Sequence, residues 1–272
     1  MSLIALTREL SPRIVECELT HLARTPIDVA RARAEHAAYE AALRALGCDV
    51  RRVPPAPELP DGVFVEDTVV VLDELAVLCR PGAASRRPEV ASVAEVVGRF
   101  RRTAAIVAPG TLDGGDILRV GRRLFVGRSA RTNDAGIAQL DSLVGARGYE
   151  VVPVDFSGCL HLKTAATLAA EGVAVVNPAW VEPAAFAPLR TVAVDAGEPM
   201  AANALTMGEA VLYPAEFPRT RARLEAAGVR VVTVPAGELA KAEGGVTCCS
   251  VIFEAPGGTP DALENRASGR AT

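Results

Sequence analysis

Cys248 lies in the run EGGVTCCS, just after a Gly-Gly pair that lets backbone approach a neighbour or a bound molecule closely. His161, one of three histidines, lies in CLHLKT; His36 falls on a helix and His21 in a loop. Taken alone, each has an ordinary explanation: a cysteine is usually a small buried hydrophobe, and a histidine before a strand usually satisfies local structure. Together they form a couple in which a nearby imidazolium can turn a thiol into a nucleophilic thiolate. Asp61, Glu66 and Asp67 cluster in DGVFVED, and Asp113 and Asp116 in LDGGD. If that first segment is extended, Glu66 and Asp67 point to different faces. Carboxylates gathered around a thiol repel one another unless a cation joins them, and a planar guanidinium meets that demand through paired hydrogen bonds. An amide or ester would instead call for oxyanion donors beside its carbon. Anionic walls around a thiolate therefore indicate a cationic electrophile. Arg86 and Arg131, in loops among many other arginines, are of the type that grips the α-carboxylate of an amino acid. Cys249 alternates to the opposite face and reads as core.

These groups meet only if the chain brings them together, and a repeat supplies the means. Thr68 to Cys79 reads as a strand, a tight turn and a second strand, followed by a helix capped by Ser85 and a strand at 104–108. Asp116 to Gly127 repeats the hairpin, with a helix from about Asn133 to Arg147 and a strand at 151–154. Further hairpins start at Thr164 and Ala204, the last leading to a helix ending near Gly228 and the strand VRVVTV. A lone strand begins near Ser250, and the N-terminus supplies what it lacks: LIALTRE, a helix with Thr25 as N-cap and Gly47 as stop, then VRRV. Four whole units and one split across the termini make a ring, a five-bladed pseudosymmetric α/β propeller of ββαβ repeats. An open α/β sheet with hairpin insertions is the alternative. The chemistry-bearing segments all precede the first strand of a unit, so a ring would converge them at one end of its axis.

The 272 residues suffice for a large core without disulfide or metal support, and a net charge of -4 without a basic stripe excludes a nucleic-acid or membrane-surface partner. MSLIALTREL reads as a strand and not an export signal, and no apolar run reaches membrane-span length. Cys17, Cys48, Cys79, Cys159, Cys248 and Cys249 have no metal-binding spacing, so they read as reduced thiols of a cytoplasmic protein. Residues 1–254 form a single catalytic domain on this reading, and the Gly- and Pro-containing tail 255–272 is disordered or loosely attached. A homodimer is left open.

The motifs FVED at 64–67, LDGGD at 112–116, SARTN at 129–133, HLKT at 161–164 and EGGVTCCS at 243–250 together resemble dimethylargininase (dimethylarginine dimethylaminohydrolase), of the guanidine-modifying superfamily. The resemblance covers residues 3 to 254 and implies the same five-bladed ring. It implies Cys248 as nucleophile, His161 as acid/base and Asp113, where some relatives carry Glu, as its partner. Asp67 would bind the guanidinium, while Asp61, Glu66, Arg86 and Arg131 would orient the substrate. Leu19 and Ala242 would contribute main-chain contacts, and a loop from Leu19 to Arg24 would act as a lid. The implied reaction converts methylated arginines to citrulline and methylamines with neither metal nor organic cofactor. Arginine deiminase is similar around the Cys and His but carries Asp two residues after the His, where this chain has Lys163; losing that acid favours an alkylated substrate nitrogen. Hydrolysis of another guanidino or ureido compound, or a non-catalytic amino-acid-binding role, are the competing readings.

Overall fold

The computed structural model describes residues 3–255. Period-two apolar runs broken by glycines in the left-handed region set the pattern: Gly121, Gly172 and Gly208 all have φ between 59° and 70° at hairpin turns. The chain forms five separate three-stranded sheets. In each, the central strand pairs antiparallel with the first strand and parallel with the third. Four sheets are contiguous in sequence: Val69–Val71, Leu75–Leu78 and Arg102–Ala105; Ile117–Val120, Arg123–Arg128 and Glu150–Asp155; Ala166–Ala170, Val173–Val176 and Arg190–Ala193; Leu205–Met207, Ala210–Pro214 and Arg230–Val234. The fifth joins Val251–Glu254 to Leu3–Thr7 and Cys48–Arg52, with Leu6 opposite Val251.

The first strands of neighbouring sheets touch, as Val251–Glu254 does Val69–Val71 and Ala166–Ala170 does Leu205–Met207. All five line an axial cavity of about 300 Å³, among them Val70, Ile117, Thr167, Leu205 and Val251. Apolar residues between sheets and peripheral helices close the core in clusters; Leu118, Phe125, Val154, Val176 and Phe186 form one of them. This is the five-bladed α/β propeller, and the split blade closes it.

Local details differ from the sequence reading. The N-terminal helix Val29–Ala45 is capped by Asp28, whose Oδ1 accepts from Ala30 N and Arg31 N at 3.0 Å, and not by Thr25. The second helix, Glu89–Val97, starts after Pro88, and the Ser85 hydroxyl donates to Glu18 instead of capping it. The third blade has no α-helix between its last two strands, only the single turn Pro183–Phe186. Pro178, Pro183 and Pro188 remove three backbone donors there and forbid a longer helix. The tail 256–272 lies outside the described residues. Among those described, no helix is long and apolar enough to cross a membrane.

Because Leu6 is fully buried on the strand that closes the ring, Leu6→Ala should cost about 2 to 5 kcal/mol. Denaturant unfolding should remain a single transition at lower midpoint; a split-blade transition separated from the rest would show that the blades are independent.

Candidate active site

Tight turns deliver the side chains, with Asp113 and His161 as extended residues at the start of theirs. Val65–Thr68 and Gly114–Asp116 are 3-10 turns, and Leu162–Ala165 is one turn of α-helix, each directly before a first strand. The first of these turns separates Glu66 from Asp67. Asp67 enters a cavity of about 10 Å³ that His161, Cys248, Asp61, Arg86 and Arg131 also line. Such a volume holds about one water, so the site is narrow. Glu66 points away, taking the Lys163 ammonium at 2.5 Å and the Thr247 hydroxyl at 2.8 Å on the side of the axial cavity. Lys163 is thereby drawn out of the small cavity. The fourth blade's Asn203 accepts Thr247 N–H at 3.0 Å and donates to Thr247 Oγ1, holding the cysteine loop in place. Gly244 and Gly245 serve this packing: side chains there would strike the Phe64 ring and Asn203. Gly245 N–H points to Cys248 Sγ at 3.3 Å.

Asp113, fully buried behind His161, accepts from His161 Nε2 at 3.1 Å through Oδ2 and from Gly82 N–H at 2.9 Å through Oδ1. The other imidazole nitrogen, Nδ1, is 3.9 Å from Asp67 Oδ1. Burial alone would push the imidazole down, but the Asp67 charge, the Asp113 hydrogen bond and the Asp116 charge outweigh it and raise the pKa to about 9. Burial also opposes the Asp67 charge, yet the His161 imidazolium, the Arg86 guanidinium and the Gly115 N–H hold its carboxyl well below the usual carboxylate range. The Cys248 thiol is pushed up to about 12 by burial and by the charges of Glu66 and Asp67. At rest near neutral pH the site thus pairs a protonated imidazole with a neutral thiol.

The two arginines differ. Arg86 is buried and gives Nε and Nη2 to Glu89 at 3.0 and 2.8 Å, Nη2 also to Phe64 O, and Nη1 to Asp67 at 2.6 Å. One Nη1 proton of its five remains for anything else. Arg131 gives Nη2 to the Thr20 hydroxyl at 3.1 Å and keeps more of its fork for a ligand. Asp61 accepts Glu18 N–H at 3.1 Å, and burial raises its carboxyl pKa. Ala242 lines the cavity; Leu19 does not, and packs against the hydrophobic cluster beneath the loop. Sequence reasoning passed over Glu243 and Glu18, which also line the cavity. Glu243, at φ 56°, accepts the backbone N–H groups of Thr20, His21 and Leu22 at 2.9, 2.5 and 2.6 Å and fastens loop 18–24 over the site. Its place beside the Gly-Gly pair was the available signal.

Asp67, Asp113 and His161 place donor atoms within 4.8 Å of one another, a set able in principle to take a cation. Arg86, Gly115 and Gly82 already occupy these carboxylates, so a cation would have to displace protein donors. If burial and Glu66 govern the thiol, alkylation of Cys248 by iodoacetamide, followed on its peptide by mass spectrometry, should be slow near neutral pH and still rising at the alkaline end of the folded range. Glu66→Gln should bring that rise to lower pH; an unmoved profile would remove Glu66 from the account.

Comparison with known proteins agrees with this geometry. The family described as N,N dimethylarginine dimethylhydrolase, eukaryotic, matches residues 22–184. An N(G),N(G)-dimethylarginine dimethylaminohydrolase of Streptomyces coelicolor is 42% identical over 91% of this chain and 95% of its own length. One from Pseudomonas aeruginosa is 36% identical over 83% of this chain and 90% of its own. Among solved structures, a dimethylarginine dimethylaminohydrolase His-to-Gly variant as an adduct with S-methyl-L-thiocitrulline superposes with a TM-score of 0.87 at 34% identity, covering 93% of this chain and all of that one. The Pseudomonas aeruginosa enzyme's Cys-to-Ser variant complexed with citrulline gives 0.86 at 33%, with the same coverage. By fold, sequence and the joint presence of these motifs, the chain belongs to the dimethylarginine dimethylaminohydrolase family.

Proposed function

We propose that this protein hydrolyses Nω-methylated arginines to citrulline and a methylamine, with Cys248 as nucleophile and His161 as proton donor and acceptor. The observation that carries the reading is one narrow cavity lined by a thiol, an imidazole held by Asp113 and buried carboxylates. The substrate guanidinium lies against Asp67, its α-carboxylate on Arg131 with the remaining Arg86 N–H, and its α-amino group toward Asp61 and the main chain of Leu19 and Ala242. Glu66, held by Lys163, stays behind the thiol and orients Cys248 through Thr247. A bound cation offsets the negative field that keeps Cys248 protonated, so the thiol loses its proton to water as substrate binds.

The thiolate attacks the guanidinium carbon and forms a C–S bond. His161 Nδ1–H gives its proton to the methylated nitrogen, the C–N bond breaks, and dimethylamine or methylamine leaves. The now neutral imidazole takes a proton from water, whose oxygen attacks the same carbon. Collapse breaks the C–S bond as the hydroxyl proton passes to the departing sulfur, restoring the Cys248 thiol and releasing citrulline. Asp113 holds the ring by Nε2 throughout, and Glu243 keeps loop 18–24 closed while the covalent intermediate exists. Six free thiols fit a reducing compartment such as the cytoplasm.

Citrulline release from asymmetric dimethylarginine, monomethylarginine and arginine tests this. Wild type should turn over the methylated substrates and leave arginine nearly inert, Cys248→Ser should release none, and His161→Ala should lose about 10²- to 10⁴-fold. Arginine as best substrate would remove the argument from Lys163, and no citrulline from any of them would sink the reading. The imidazole must carry its proton for the first step, and its raised pKa preserves that proton up to about 9. Under saturating substrate the bound cation offsets part of the Asp67 field that raises the imidazole, so the rate should fall with rising pH at or below that value; a rate with no alkaline fall would exclude His161 as donor.

A further inference from the structure

We propose that Asp116 is a positioning residue that ties the proton donor and the carboxylate-gripping arginine to one buried anchor. Asp116 is fully buried and does not line the cavity. Its Oδ1 accepts the N–H of Leu162 at 3.0 Å, the peptide that leaves His161, and so fixes where the imidazole starts. Its Oδ2 accepts the Ser129 hydroxyl at 2.6 Å. That hydroxyl oxygen accepts Arg131 N–H at 2.9 Å and Thr132 N–H at 3.0 Å, folding the SARTN turn that aims Arg131 at the cavity. The Thr132 hydroxyl in turn accepts Asp113 N–H at 3.1 Å, so the partner of His161 hangs from the same turn.

The chemistry requires a carboxylate at this position. Ser129 spends both lone pairs on the Arg131 and Thr132 amides, so its proton must go to an acceptor, while Leu162 N–H needs a second acceptor on the same side chain. An amide in place of the carboxyl can satisfy one arm and must oppose the other with N–H. Burial pushes the Asp116 carboxyl up to about 6 against the His161 charge and its hydrogen bonds, which leaves it ionised at neutral pH. Two ends of the substrate, the reacting carbon and the α-carboxylate, are thereby set by one group that touches neither.

The inference rests on the function proposed above, and its test separates the two. Turnover of asymmetric dimethylarginine and of its decarboxylated counterpart is measured for wild type, Ser129→Ala and Asp116→Asn. Ser129→Ala releases the turn that aims Arg131 but leaves the Asp116 bond to Leu162 N–H and the Thr132 hydroxyl in place. The KM for the amino acid should therefore rise about tenfold, any fall in kcat should stay well short of that in Asp116→Asn, and the KM for the decarboxylated substrate should be unchanged. Asp116→Asn should show the same KM rise and in addition lose roughly 100-fold in kcat on both substrates. A Ser129→Ala enzyme with unchanged discrimination between the two substrates overturns the inference, as does Asp116→Asn with wild-type kcat. Should Asp116→Asn not fold, Ser129→Ala still decides the Arg131 arm and Thr132→Ala the arm toward Asp113, the latter expected to lower kcat alone; a wild-type kcat there overturns the inference. If wild type releases no citrulline, the proposed function falls by itself. Calorimetric binding of dimethylarginine must then still weaken in Ser129→Ala, and no weakening overturns the inference.

Discussion

Asp67 carries its charge fully buried between two cations, 2.6 Å from Arg86 Nη1 and facing the imidazole of His161. The surroundings are built to tolerate that charge. Arg86 is balanced on its other side by Glu89, and the Gly115 amide, with no side chain to obstruct it, completes the carboxylate's partners at 2.8 Å. Removing one member of such a buried set leaves a charge without a partner, which costs about 3 to 5 kcal/mol in comparable cases. The same charge holds the proton on the buried His161. It adds to burial and the Glu66 charge in raising the thiol, so it contributes both to the acidity of one partner and to the reserve of the other.

The ring was readable in the sequence because each blade repeats the same apolar pairs and glycine turns, and because the orphan strand at 251–254 wanted partners that only the N-terminus carried. The third blade was not, since three prolines near 178–188 erase its helix while the hairpin pattern survives. Cys248, His161, Asp113 and Asp67 were legible as residue types placed before first strands. What they touch was not. Whether Glu66 faces the cavity depends on a 3-10 turn that no period of two or 3.6 reveals, and the occupation of Arg86 by Asp67 and Glu89 depends on side chains 19 and 3 residues away. The glycines before Cys248 were correctly singled out, but their reason lies in packing against Phe64 and Asn203.

Thr247 and Cys248 are neighbours in sequence and face different cavities. Between these stands the Glu66–Lys163 pair, an ionic partition at the centre of the propeller. It separates the narrow reaction side from the larger axial space lined by first strands. On the reaction side, Glu243 fastens loop 18–24 through the amides of Thr20, His21 and Leu22.

The blade that carries the nucleophile is also the one that the chain completes late. Strand Leu3–Thr7 precedes Val251–Glu254 by almost the whole ring and must wait for it before its antiparallel partner exists. Cys248 reaches its neighbours only when that partner arrives. A chain lacking Val251–Glu254 has no strand to seat the Cys248 segment among its carboxylates. Closure of the split blade and assembly of the site around Cys248 are thus the same event, imposed by topology.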